Sequence, residues 1–219
     1  MPYLKKHILI NIAFFFILSI IFSSCNKNEK SKIIIQAKTK EEIRQDSIRN
    51  QEELIVFGNI KFGMNLADFE ISKKEFEEKC RGEFGVKFIG DYQFYSIYGY
   101  FHDEKLYYVE IKGKPLSYKS YERFMPLQYE ALISILKNKY GTPYPENRLP
   151  EWHLLSEGKQ YYLAEWYNLG DKKINMFIEC KELDYRLNIE IYKPSITEII
   201  HNEREAEKKN AIKKGVEVL

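Results

Sequence analysis

Asp91-Tyr-Gln-Phe-Tyr-Ser-Ile-Tyr-Gly-Tyr-Phe-His-Asp-Glu-Lys-Leu-Tyr-Tyr-Val-Glu-Ile-Lys112 is the stretch that decides the fold class. Two runs dense in aromatic and β-branched residues, Tyr92 to Phe101 and Lys105 to Lys112, flank the turn His102-Asp103-Glu104, the pattern of an antiparallel hairpin. Val86 to Ile89 adds a third β-prone run, so this region predicts a small meander. Side chains alternate across a strand. That rule places Tyr92, Phe94, Tyr98 and Tyr100 on one face and Tyr95, Ile97 and Phe101 on the other.

Helices bracket this meander. Before it, Leu54 to Met64 is a short β-prone opening, and Ser72 with Glu75 forms a capping box ahead of a helix over 73–81 that ends at Gly82 and Gly85. After it, Gly113-Lys114-Pro115 breaks the sheet. Leu132, Ile133, Leu136 and Tyr140 then share one face of a helix over 128–140, closed by Gly141 and Pro143. A proline-rich loop carrying Trp152 and His153 follows. Three further strands are expected at 160–167, 173–180 and 185–193, and Leu187, Ile189 and Ile191 alternate with Asn188, Glu190 and Tyr192. Each half therefore reads helix, then antiparallel strands. The expected class is α+β, with halves at 54–113 and 121–194 in one domain over 54–194. Ser195 and Glu198 suggest a capping box for a charged C-terminal helix over 195–219, with Glu203, Glu205 and Glu207 early and lysines late.

Upstream of the domain, Lys5 and Lys6 lead into an apolar run from Ile8 to Phe22. At about fifteen residues this run is short of the roughly twenty needed to span a bilayer, so residues 1–25 read as an export signal. The stop, Phe22-Ser23-Ser24-Cys25, resembles the lipobox of bacterial lipoproteins. That resemblance implies cleavage before Cys25 and a diacylglycerol on its sulfur, and with it a place in the cell envelope. Several acyl chains on one cysteine supply the stable anchoring that a single chain does not. Residues 26–53, polar and free of Pro and Gly, read as a tether with a reach of roughly 30 Å as a flexible coil. The chain as a whole resembles Bacteroides-type lipoproteins. Through Ile60 to Asn65 and Tyr140-Gly141-Thr142-Pro143 its domain also resembles the tandem helix-plus-sheet pattern of β-lactamase-inhibitor-like proteins and of the small outer-membrane assembly lipoproteins.

Charge excludes one class of partner. The chain has 34 bases and 32 acids, and Lys5 and Lys6 leave with the signal, so the exported part is formally neutral. A polyanion-binding stripe lacks its electrostatic basis, and nucleic acid is not an expected partner. Of the cysteines left after Cys25, Cys80 and Cys180 are candidates for a disulfide. It would close a loop of about a hundred residues, worth roughly 4–5 kcal/mol in the chain-entropy treatment. The alternative is two separate buried thiols.

No motif carries chemistry. His102, His153 and His201 show no zinc-ligand spacing, and nucleophile elbows and glycine-rich phosphate loops are absent from the sequence. Neither metal nor cofactor is expected. Glu110, Glu165, Glu179 and Glu190 fall within strands, where the plain reading is the solvated face of a sheet. What stands out is aromatic density, which makes Tyr92, Phe94, Tyr98, Tyr100, Tyr108, Trp152 and Trp166 the candidate binding face, since Tyr and Trp favour interfaces. The alternative is ordinary cross-strand packing. The expectation is a non-catalytic, lipid-anchored binding module with a protein partner. Glycan binding is the alternative, and an enzyme built from distant acids is a weaker third.

Overall fold

The computed structural model describes residues 44–45, 51–167 and 169–218, with side chains through 214; residues 1–43 and 46–50, and so the signal stretch, Cys25 and most of the tether, lie outside the described residues. From Ile55 onward the chain runs β1 (Ile55–Phe57), β2 (Ile60–Lys61), α1 (Leu66–Lys79), β3 (Lys87–Ile89), β4 (Tyr92–His102), β5 (Lys105–Gly113), β6 (Leu116–Ser117), α2 (Tyr118–Tyr140), β7 (Gln160–Trp166), β8 (Lys173–Lys181), β9 (Asp184–Tyr192) and α3 (Pro194–Val218). The α+β class is as the sequence indicates. Among the described residues no helix is long and apolar enough to cross a membrane.

The two halves share one antiparallel sheet in the order β3-β4-β5-β9-β8-β7, with β6 pairing β9 beside it. They meet through their last long strands, β5 and β9, whose register sets Val109 against Ile191, Glu110 against Glu190 and Ile111 against Ile189. One face of the sheet, built on Ile97, Val109, Ile111, Ile174, Met176, Ile178, Ile189 and Ile191, is buried in the core with helices α1 and α2.

Helix α1 starts seven residues before the expected 73. Its cap is Asn65, whose side-chain oxygen accepts from the Asp68 N–H at 2.9 Å while its amide donates to the Asp68 carboxylate at 3.0 Å. Asn65 thus caps one backbone N–H and is itself held by Asp68, and Ser72 sits inside the helix, buried, instead of at its start. Phe69, Ser72 and Phe76 then fall on one stripe. Phe69 packs edge-on to Phe101 with centroids 5.7 Å apart, and Phe76 reaches Phe57 and Phe94.

Helix α2 also begins earlier than expected, at Tyr118, and runs through Pro126. Its first turns carry Tyr121 and Met125 on the same buried face as Leu132, Ile133 and Leu136, so packing outweighs the hydrogen bond that the proline cannot donate. The expected glycine C-cap is present: Gly141 adopts φ 83° and its N–H donates to the Lys137 carbonyl.

At α3 the expected Ser195–Glu198 box gives way to a cap from elsewhere in the chain. Proline 194 takes the first helical position, and Asp171 of the β7–β8 connection accepts from the Ser195 N–H at 3.1 Å and from its hydroxyl.

The disulfide is not formed. Both thiols are free, with Cys80 partly and Cys180 fully buried. The sheet order explains why: the Phe88 N–H of edge strand β3 donates to the Cys80 carbonyl, whereas Cys180 lies on β8 opposite Tyr185. Four inter-strand steps of about 4.8 Å separate those strands, roughly 19 Å against the 4.4–6.8 Å between α-carbons that a disulfide needs.

Candidate functional site

The predicted face divides at a β-bulge. Between Phe94 and Ser96 the β4–β5 register slips, Phe94 facing Gly113 and Ser96 facing Lys112, so Tyr95 is an extra residue. A bulge shifts the alternation by one. Tyr92 and Phe94 therefore point into the core with Ile97, and Tyr98 and Tyr100 point the other way. Tyr92 is fully buried and its hydroxyl donates to the Leu187 carbonyl at 2.7 Å. Trp166 is likewise a core residue, its indole N–H donating to the Gly141 carbonyl at 2.7 Å. Trp152 packs beside Tyr118 at the start of α2, on the helix side. Of the seven expected residues, Tyr98, Tyr100 and Tyr108 share one face; Tyr92, Phe94, Trp166 and Trp152 are corrected to packing positions.

The sheet face turned away from α1 and α2 is ordered in rows across the strands, and its middle is buried, Phe177 and Asn188 fully so. One row runs Tyr100, Tyr108, Tyr192 and Lys173, with Tyr100 and Tyr108 edge-on at 4.9 Å and Tyr108 stacked on Tyr192 at 5.7 Å. The next runs Tyr98, Glu110, Glu190, Asn175 and Glu165. These are the acids that the sequence suggested were solvated, but Glu110 and Glu190 are each only 6% exposed and Asn175 only 4%. Tall neighbours, Tyr98 and Tyr100 at 43% and 44% exposure, rise beside them.

Hydrogen bonds bind the rows together. Tyr100 donates to Glu110 at 3.3 Å, Tyr108 donates to Glu190, and the Asn175 amide donates to the other Glu190 oxygen. Lys112 lies 3.6 Å from Glu110 and 3.7 Å from Glu179, and Lys173 lies 2.7 Å from Glu165. Burial pushes the Tyr108 phenol well up, with Glu190 adding to it, and likewise raises Tyr162 to about 12. Burial also holds the Glu110 carboxyl above its usual range, with Lys112 opposing and Glu179 and Glu190 adding. These tyrosines stay neutral hydrogen-bond donors at physiological pH.

Sequence reasoning singled out Glu110 and Glu190 but not their meeting. A signal was available: Val109-Glu110-Ile111 and Ile189-Glu190-Ile191 are alike, each on the last long strand of its half. Asn175 and Tyr192 carried no such mark.

Elsewhere, Lys172 lines a cavity of about 680 Å³ with Tyr140 and Glu53, and donates to the carbonyls of Glu52 and Ile55 at 3.3 Å each. Burial lowers its pKa, with Lys139 adding to the effect. Its bonds fasten the segment entering the domain to the β7–β8 connection. Among the described residues no group of three or more His, Cys, Asp or Glu could hold a metal ion. His102 and His153 sit beside Asp103 and Glu151 at 3.7 and 3.3 Å.

Comparison with family models, with curated proteins and with solved structures finds no match for this chain.

Proposed function

We propose that the chain is a lipid-anchored cell-envelope protein with a non-catalytic binding domain, held to a bacterial membrane through Cys25 and engaging a protein partner through the tyrosines on the sheet face turned away from α1 and α2. The observation that carries this reading is the tyrosine row from Tyr100 to Tyr192, standing with half-exposed Tyr98 on the face away from α1 and α2. Tyrosine offers large contact area at low entropic cost, which suits a protein interface. The carboxylates of this face already have partners: Tyr100 and Lys112 for Glu110, Tyr108 and Asn175 for Glu190, and Lys173 for Glu165. That engagement favours a binding surface over a general base waiting for substrate. The glycan alternative loses both tryptophans, Trp166 to the core and Trp152 to Tyr118.

Two measurements test the reading. Cys25→Ser should leave the membrane fraction or remain uncut, and unchanged fractionation would refute the anchor. A photoreactive side chain at position 98 should give a discrete protein adduct in intact cells where one at Lys74, on α1, does not. Equal labelling from both positions would refute the docking face.

A further inference from the structure

A lysine withdrawn from water needs an anion beside it, or acceptors enough to stand in for one. Lys172, at the end of the β7–β8 connection, is only 6% exposed. Its ammonium donates to the Glu52 and Ile55 carbonyls at 3.3 Å each and lies 5.4 Å from the centre of the Tyr140 ring. Two acceptors leave one of its three N–H groups without a hydrogen bond among the described residues. Among the same residues no carboxylate comes within ion-pair distance: Glu53 is committed to the Asp171 N–H, and Glu52 and Glu53 act on the lysine only from further off.

This lysine lines an open cavity of about 680 Å³. That volume falls within the roughly 300–1,000 Å³ of small-molecule sites. The segment entering the domain, the last turn of α2 and the β7–β8 connection form its walls. The α2 wall brings a second cation, exposed Lys139, whose ammonium lies 5.0 Å from the centre of the same Tyr140 ring. One ring thus has two ammonium groups beside it, and Lys139 adds to burial in lowering the Lys172 pKa. An anion between the two would relieve both. Ile55, Leu169 and the Tyr140 ring give the cavity apolar surface, while Glu52 and Glu53 on the same lining oppose a second negative charge. The lining therefore suits an occupant with one negative charge on an apolar body better than a doubly charged phosphate.

We propose that this cavity binds a small organic acid, its carboxylate set between Lys172 and Lys139 and its apolar body against Ile55, Leu169 and Tyr140. The carboxylate accepts from the N–H of Lys172 that the two carbonyls leave over, and supplies the negative charge that both lysines lack. The site uses none of the residues of the tyrosine face, so it stands or falls independently of the docking reading.

The test uses the full chain in detergent, with phenylacetate, phenylacetamide and inorganic phosphate as probes, followed by nuclear magnetic resonance at the Gly58 and Gly170 backbone amides of the lining. Phenylacetate should shift both signals to saturation. Phenylacetamide, the same body without the charge, should bind about tenfold or more weakly, the scale of hydrogen bonds to a charged group. Lys139→Met should weaken phenylacetate about two- to fivefold, as for an exposed charge pair. Lys119→Met, which removes a lysine 5.7 Å from the Tyr118 ring and outside this cavity, should leave binding unchanged. Lys172→Met should abolish binding; it also unfastens Glu52 and Ile55, so Lys139→Met keeps the test decisive if that chain does not fold. Equal loss from Lys139→Met and Lys119→Met, phenylacetamide binding as tightly as phenylacetate, or unmoved Gly58 and Gly170 signals would overturn the site. Phosphate binding as tightly as phenylacetate would overturn its assignment to an organic acid.

Discussion

Glu110 on β5 stands directly opposite Glu190 on β9, at the line where the two halves of the sheet join, and both side chains turn away from the helices. The two glutamates occupy matching places, each flanked by β-branched residues that enter the core from the other face. On their outer sides the matching breaks down, with Tyr98 beside Glu110 and Asn175 beside Glu190. The join is thus nearly two-fold in backbone and asymmetric in chemistry.

That relationship makes a prediction about pH. Burial raises the Glu110 pKa in the folded state, so the folded chain holds this proton more tightly than the unfolded chain does. Ionised Glu110 therefore costs stability above the folded pKa; the cost is relieved as pH falls through that value and is gone below the unfolded one. Glu110→Gln, which cannot ionise, should be more stable than wild type near neutral pH, and its advantage should shrink on acidification. Urea midpoints at several pH values check this, and an advantage that grows in acid contradicts it.

The bulge at Tyr95 predicts unequal costs for adjacent aromatics. Phe94→Ala empties a core position beside Phe76 and should cost about 3–5 kcal/mol. Tyr95→Ala removes a ring that is 64% exposed and should stay within about 0.5 kcal/mol of wild type. Tyr92→Phe, which strands the Leu187 carbonyl, should fall between them at about 1–2 kcal/mol. Near-equal costs for Phe94 and Tyr95 in denaturant titrations would contradict the bulge.

These aromatics also show how far the sequence reaches. Strand positions and the order of helix and strands were legible because hydrophobic alternation and the Gly and Pro breaks are local signals. The face assignment failed at one residue, since strict alternation carries no mark of where a bulge falls, and everything before Tyr95 reversed. Helix starts failed differently: Asn65 caps the helix through the Asp68 N–H, and the burial of Phe69 and Ser72 places the first turns ahead of the Ser72–Glu75 pair. The site was half visible. Mid-strand glutamates could be noticed, but that Glu110 and Glu190 oppose each other depends on β5 pairing with β9, about eighty residues away, which no local pattern specifies.

Free thiols make a prediction about labelling. Burial raises the pKa of Cys80, with Glu77 adding, and of Cys180, with Glu157 adding, so both remain protonated and slow to react at neutral pH. In a Cys25→Ser chain, alkylation should be slow in buffer and reach both cysteines in urea without reductant. Mass spectrometry that found a Cys80–Cys180 cross-link would refute the separation across the sheet.

Two glycines of the sheet should respond oppositely to compensation. A Cβ on Gly99 would lie 2.7 Å from the Phe69 ring and 2.9 Å from Leu106, whereas one on Gly113 would lie 2.2 Å from the Leu187 carbonyl oxygen. Side chains can be trimmed and a neighbouring strand's backbone cannot. Gly99→Ala should cost about 1–3 kcal/mol by overpacking. In the Phe69→Leu background its added cost should shrink by at least about 0.5 kcal/mol, since contacting residues couple. Gly113→Ala should cost more and show no such rescue, because its clash is with β9 itself, at the join where the halves meet. A double-mutant cycle by denaturant titration decides the matter, and equal coupling of Phe69 to both glycines would contradict the packing of α1 over Gly99.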